Sequence, residues 1–180
     1  MQKKRIVLGL IVLALLVMLM SCGGYRQRQK RIKHYLQVNL SMGIWEAFYD
    51  DHGGFHGDGS TYGEIRFYGR TADKIRKEIE SSDVWEPLSL PEPLDRIVQE
   101  YHLGGAVRGT LSEKIPIPEE GKGYWCFLDR DDFHNGVGEL YNYEALEQMK
   151  RHGSFFVPFN FVLAIYDAEH DVIYCYQHDI

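Results

Sequence analysis

The pattern of hydrophobic and polar residues divides this chain of 180 residues into a short apolar run and a longer, mixed body. Residues 6–20 are uncharged and almost wholly apolar. Beyond residue 43, some stretches alternate apolar and polar residues, which is typical of half-buried strands. Other stretches carry apolar residues three and four positions apart, which is typical of helices. The body is therefore expected to combine strands with helices.

The predicted strands are rich in aromatic and β-branched residues, which favour extended structure. They cover residues 44–50, 61–69, 123–129, 155–166 and 172–177. A Gly-rich connection joins the first two strands, and a short acidic turn joins the last two. We expect each of these two pairs to form an antiparallel hairpin.

Two helices are predicted between the second and third strands. The first runs over residues 71–82 with Thr71 as its N-cap, and the second begins near Pro93, a favourable first-turn residue. Their apolar stripes are Ala72, Ile75 and Ile79 in the first helix and Leu94, Ile97, Val98 and Tyr101 in the second. A third, weaker helical pattern covers residues 139–151. Each stripe is narrow enough to pack one-sidedly on a sheet.

This order of elements predicts an α+β fold. We expect a single antiparallel sheet of about five strands, with two or three helices packed on one face. The body has the length of one domain and can bury one hydrophobic core.

Charge is distributed unevenly along the chain. All 26 acidic residues lie beyond residue 34, together with 12 of the 20 Lys and Arg residues, so the body carries a formal charge of −14. Such a body repels nucleic acid, and nucleic-acid binding is not expected. The basic spacer Arg26–Lys33 should instead favour an anionic membrane surface, by about 1 kcal/mol for each residue close to it.

The N-terminus resembles the signal peptide of a bacterial lipoprotein. Lys3–Arg5 forms a basic start, the apolar run is shorter than the ~20 residues that a spanning helix needs, and the run ends in Leu19-Met20-Ser21-Cys22. This tetrapeptide is similar to a lipobox. The resemblance implies lipid attachment to the Cys22 thiol, cleavage before Cys22 and a lipid anchor at the extracytoplasmic face of the cell membrane. The alternative is an uncleaved signal anchor.

The predicted organisation follows from this resemblance. Residues 1–21 form the signal peptide, residues 22–43 form the lipidated N-terminus and basic spacer, and residues 44–180 form a single α+β domain. The predicted partners are the membrane and a protein or small-molecule ligand.

The connection between the first two strands contains the densest group of chemically active side chains. His52, His56 and Asp58 are the candidate ligand-binding residues, since imidazole and carboxylate together suit zinc or a related divalent ion. The same residues are compatible with a purely structural turn, in which glycines supply unusual backbone angles and Asp58 accepts backbone hydrogen bonds.

The body resembles a family of small bacterial lipoprotein or secreted domains without an assigned activity. The resemblance rests on the segments His52-Gly-Gly-Phe-His-Gly-Asp-Gly, Trp85-Glu-Pro-Leu-Ser-Leu-Pro-Glu and Phe159-Asn-Phe-Val-Leu-Ala-Ile-Tyr-Asp. It implies an exported location and a single-domain fold, and no reaction.

Two further groups of residues leave alternatives open. Cys126 and Cys175 lie on predicted strands, where they could form a disulfide across neighbouring strands or serve as small buried apolar residues. Tyr174 and Tyr176 could form an aromatic ligand surface or pack against the sheet.

The leading functional hypothesis is a membrane-anchored binding or interaction lipoprotein. The sequence carries no dinucleotide-binding, P-loop, zinc-protease or nucleophile-elbow motif, and we expect no cofactor. The alternative is a metal-dependent or acid–base enzyme centred on His52, His56 and Asp58. A protein that captures a specific protein partner is a third hypothesis.

Overall fold

The computed structural model describes residues 30–52, 59–100, 110–130 and 160–179. The chain divides into two compact units, residues 1–35 and 36–180. In the first unit, the described residues 30–35 are helical. None of the helices within the described ranges is long and apolar enough to cross a membrane. The predicted signal peptide, Cys22, the predicted helix over residues 139–151, and His56 and Asp58 lie outside the described residues.

The described part of the second unit contains a short 3-10 helix, two α-helices and six strands. In chain order they are the 3-10 helix Leu40–Met42, β1 Ile44–Asp50, β2 Gly59–Arg66, α1 Arg70–Glu80, β3 Glu86–Pro87, α2 Glu92–Glu100, β4 Gly123–Asp129, β5 Phe161–Asp167 and β6 Val172–Asp179. The α+β class is therefore confirmed.

The strands form one antiparallel sheet in the order β1-β2-β6-β5-β4-β3. Both predicted hairpins, β1–β2 and β5–β6, are present. The additional strand β3 has only two residues and ends at Pro87, which has no N–H to donate to a sheet. It occupies one edge of the sheet, and the longer β1 occupies the other.

Both faces of β5 are buried. The sequence predicted helices on one face of the sheet only, so it did not predict cover on the second face. Every residue of Phe161–Asp167 is buried. On one face, Leu163 belongs to the same apolar cluster as Leu94 and Ile97 of α2. Alternating with Leu163 along the strand, Ala164 faces the other way and is also fully buried. We call the side that carries Leu163 the α2 face of the sheet.

Helix α1 begins one residue earlier than predicted, and Thr71 is not its N-cap. The cap position is Gly69, whose φ of 52° lies in the left-handed region that favours glycine. Thr71 instead exchanges two hydrogen bonds with Tyr68, accepting from its N–H at 3.2 Å and donating to its carbonyl at 2.7 Å. The predicted stripe of the helix is confirmed by the burial of Ala72, Ile75 and Ile79.

The second unit also includes residues that the sequence pattern assigned to the spacer. Leu36 and Leu40 are buried. The backbone N–H of Asn39 donates to the carboxylate of Glu78 in α1 at 2.8 Å, and the indole of Trp85 donates to the carbonyl of Leu36 at 2.9 Å. These contacts belong to the second compact unit, which starts at Leu36.

The two described cysteines are free and buried. Cys126 of β4 and Cys175 of β6 both pair with Ala164 of β5, so they lie in one cross-strand row with β5 between them. Two strand spacings amount to about 9.6 Å, which exceeds the ~6.8 Å limit for Cα atoms joined by a disulfide. The two strands are thus not neighbours, as the predicted bridge required, and the cysteines act as small core residues.

This small-residue row continues onto β2. Gly63 pairs with Cys175, and a Cβ atom at Gly63 would lie 2.8 Å from the Cys175 sulfur and 2.5 Å from the ring of Trp45. The glycine is therefore fixed by close packing, since Trp45 covers the sheet at this point.

We predict that the Cys126 and Cys175 thiols are unreactive in the native protein. Burial raises the pKa of each thiol to about 12, and the thiolate is the reactive form. Iodoacetamide at about pH 8, followed by peptide analysis, should modify both residues only after the protein is denatured. No reductant should be needed for this labelling, because the thiols are free. Labelling of the native protein, or a requirement for reductant after denaturation, would contradict the structure.

Candidate functional site

Polar side chains collect at one end of the sheet. Strands β1, β4 and β6 finish there, and β2 and β5 begin there, because neighbouring strands are antiparallel. Residues 53–58 and 131–159 join the described strands at this same end. The predicted ligand-binding loop is therefore attached where the polar side chains lie.

His52 links the first strand to the last. Its Nδ1 lies 2.7 Å from a carboxylate oxygen of Asp50, and its Nε2 lies 2.8 Å from a carboxylate oxygen of Asp179. The side chain is only 8% exposed. His52 thus connects the ends of β1 and β6 across the intervening β2.

The Asp179 carboxylate has further partners from its own strand and from β4. The side-chain amide of Gln177 donates to it at 2.7 Å, and Arg130 forms an ion pair with it. All three side chains are largely removed from solvent. Together with His52 and Asp50 they form a continuous polar network, which we call the His52 lock.

The backbone next to His52 explains one of the loop glycines. A Cβ atom at Gly59 would lie 2.6 Å from the Cα of His52 and 2.8 Å from its backbone nitrogen. No side chain fits at that separation, so glycine is required by the approach of the two strands. Ser60 closes the same turn, because its N–H donates to the Asp51 carboxylate at 2.5 Å and its carbonyl accepts from the Asp51 N–H at 3.1 Å.

Of the three residues predicted to bind a ligand, the structure describes His52 alone. Both of its ring nitrogens contact carboxylates, and a metal ligand needs one nitrogen with a free lone pair. Within the described ranges, no group of three or more His, Cys, Asp and Glu residues is placed to hold a metal ion. In this arrangement His52 links β1 to β6.

His178 lies beside the lock on β6. Burial lowers its pKa, the nearby His52 lowers it further, and Asp51 partly opposes both effects. The ring lies 5.6 Å from that of Phe161, so an apolar neighbour accounts for part of the burial.

A second polar group, near the β1 edge of the sheet, was not predicted as a site. It lies on the α2 face and comprises Glu46, Ala47 and Tyr49 of β1, Tyr62, Glu64 and Arg66 of β2, Tyr68, and Tyr174 of β6. We call it the Glu64 face.

A β-bulge explains how β1 contributes to this surface. The pairing register shifts between Trp45 and Ala47. Because of this irregularity, Glu46 and Tyr49, which are three positions apart, contact residues on the same side of β2, whereas regular alternation would separate them. Glu46 contacts Arg66, and Tyr49 stacks on Tyr62 with a ring separation of 6.1 Å.

The negative charge of the Glu46 carboxylate is balanced by nearby hydrogen-bond donors. Arg66 Nε donates to it at 2.7 Å and the Tyr68 hydroxyl donates to the same oxygen at 3.2 Å. The hydrogen bond from Arg66 holds the pKa of Glu46 below its usual range. Arg66 also donates through Nη1 to the carbonyl of His170 at 3.2 Å.

Glu64 lies in a different electrostatic environment. Burial raises the pKa of its carboxyl, and the charge of Glu46 raises it further. The Tyr62 hydroxyl lies 3.5 Å from this carboxylate but 2.9 Å from the carbonyl of Lys114. A phenol has one hydrogen to donate, and the shorter contact takes it.

Sequence alternation pointed to part of this surface. Glu64, Arg66 and Tyr68 occupy every second position of the predicted strand over residues 61–69, a spacing that puts side chains on one face of a strand. Their contacts with Glu46 agree with this placement. The predicted aromatic pair on β6 is divided: Tyr176 is only 1% exposed and belongs to the core, whereas Tyr174 is partly buried beside Glu64. The bulge that brings Glu46 and Tyr49 together left no signal in the sequence pattern.

Comparison of the chain with protein family models, with curated proteins and with solved structures finds no match. The resemblance to bacterial lipoproteins and to a family of small exported domains therefore stays a prediction from the sequence.

We predict that His178 makes stability depend on pH. Its folded-state pKa is lowered, so the unfolded chain binds the proton more readily and protonation favours unfolding. The penalty is absent well above the unfolded-state pKa of about 6.5 and grows as the pH falls through and below that value. Denaturant titrations should show that the His178→Gln variant loses less unfolding free energy than the parent between about pH 7.5 and pH 5.

The matched control is the exposed His34→Gln variant, which should lose as much stability as the parent over this range. An equal loss in the parent and in His178→Gln would contradict the prediction.

Proposed function

We propose that this protein is a membrane-anchored binding lipoprotein whose acidic body lies at the extracytoplasmic face of the cell membrane. One observation carries the anchoring part of the proposal: a basic start, a short apolar run and a lipobox-like tetrapeptide ending at Cys22 occur in the correct order at the N-terminus.

The charge distribution supports this arrangement. The cluster Arg26–Lys33 begins four positions after Cys22, where it can add electrostatic attraction to the hydrophobic attraction of acyl chains. A single acyl chain gives only marginal membrane binding, so two acyl chains or one chain with a basic cluster are needed for stable anchoring. The body, at −14, is repelled by the same anionic surface.

The geometry of the polar residues supports binding rather than catalysis. A general base needs a free nitrogen or carboxylate within reach of a substrate, whereas both ring nitrogens of His52 contact carboxylates inside the lock. The Glu64 face has the opposite character, because it combines exposed aromatic rings with fixed charges. This favours recognition of a ligand at the exposed tyrosines near the β1 edge of the sheet.

We predict that Cys22 carries the lipid. In cells fed radioactive palmitate, the parent protein should be labelled and recovered with membranes, because acylation of the thiol provides the anchor. The Cys22→Ser variant should lose the label completely, since serine has no thiol to modify.

The matched control is Ser21→Ala, which keeps a small residue before the cysteine and should keep the label. Undiminished labelling of Cys22→Ser would refute the lipoprotein assignment, whatever the body binds.

A further inference from the structure

We propose that the Glu64 face binds a small organic cation that carries one ammonium group. This inference deepens the proposed binding function and rests on it, because it names the class of ligand and the surface that receives it.

The first argument is charge. The Glu64 face contains two carboxylates and one guanidinium. Arg66 compensates Glu46 through a direct hydrogen bond of 2.7 Å and uses a second nitrogen on the carbonyl of His170. One negative charge, that of Glu64, therefore remains for a ligand to balance, on a body that already carries −14.

The second argument is the hydrogen bonding of Glu64. Its neighbours include the Tyr62 hydroxyl, at 3.5 Å, which has a closer acceptor in the carbonyl of Lys114, and the carboxyl of Glu46, which lies within hydrogen-bonding reach. Two ionised carboxylates this close together repel each other, which is an electrostatic cost. A cation that contacts Glu64 removes this cost.

The third argument is the set of aromatic rings around the carboxylate. Tyr174 is paired directly with Glu64 across the strands, and Tyr62 precedes it by two positions on β2. Tyr49 and Tyr68 are 50% and 56% exposed, respectively, and flank the same surface. Tyrosine rings attract cations to their faces, and quaternary ammonium groups are recognised by such rings.

The shape of the surface selects a small ligand. Ala47 is the residue paired with Glu64 on the β1 side. Its methyl group is smaller than the side chains of the neighbouring residues on this surface. An added peptide strand is disfavoured because the bulge between Trp45 and Ala47 breaks the regular edge that such a strand would need.

The test is calorimetric titration of the full-length protein, in a non-ionic detergent, with choline and with its uncharged carbon analogue 3,3-dimethyl-1-butanol. The two probes have nearly the same shape and differ in charge. We expect saturable binding of choline with an affinity at least about tenfold higher than that of the neutral probe, because ring faces and Glu64 both act on the charge.

The variants assign the binding to this surface. Glu64→Gln keeps the shape of the side chain and removes its charge, and it should weaken choline binding about tenfold. Tyr49→Leu, which removes an exposed ring, should weaken it several-fold. Glu80→Gln, a matched loss of an exposed carboxylate on α1, should leave the affinity unchanged.

The pH dependence adds an independent readout. The groups facing Glu64 are Glu46 and Arg66, which form an ion pair, and Tyr62 and Tyr174, which stay neutral because burial raises the pKa of both. Choline binding should therefore weaken as the pH falls through the raised pKa of Glu64. This loss should be absent in Glu64→Gln.

The outcomes are distinct from those of the anchoring experiment. Absence of saturable choline binding, equal affinity for the neutral probe, or full affinity in a folded Glu64→Gln variant would overturn the ligand assignment. None of these results changes the labelling of Cys22. If the ligand assignment fails while Cys22 is labelled, the protein is a lipoprotein with a different ligand.

Discussion

Burial of the strand pair β5–β6 at the centre of the sheet constrains the rest of the body. All seven residues of Phe161–Asp167 are buried, and most of Val172–Asp179 is buried with them. Backbone groups with no access to water must be paired within the sheet, so β5 needs a strand on each side. Strands β4 and β6 supply these partners, and β1 and β3 are left at the edges.

This placement separates the two polar regions by role. At the end of the sheet, His52 contacts the carboxylates of Asp50 and Asp179, and Arg130 forms an ion pair with Asp179. Buried polar and charged groups are tolerated when they are paired in this way. At the β1 edge, the charge of Glu64 has weaker compensation and lies among tyrosines. The first region links strands, and the second is the surface for which we propose a ligand.

The sequence predicts the long elements because their periodicity is strong. Ile75 and Ile79, and Leu94 with Ile97, show helical spacing that burial then confirms. Features that depend on strand order were not predictable: β5 separates Cys126 from Cys175, and no local pattern encodes that order. The two-residue strand β3 and the bulge in β1 are too short to produce a periodic signal.

The candidate site likewise has parts that local sequence patterns predict and parts that depend on strand order. Alternation along β2 is a local property, and it placed Glu64 and Arg66 on one side of the strand. The partners of His52 are its neighbour Asp50 and the distant Asp179, 127 positions further along the chain. Such a contact exists only after the sheet has formed, so no local pattern could indicate that His52 links two strands.

Amide hydrogen exchange resolved by residue tests the central arrangement most directly. If β5 and β6 form the doubly covered centre and β1 is an open edge, the β5 and β6 amides should exchange only through global unfolding, while β1 amides exchange faster through local opening. Protection of β1 equal to that of β5 would contradict the account, because it would mean that another part of the protein covers the edge beside Glu64.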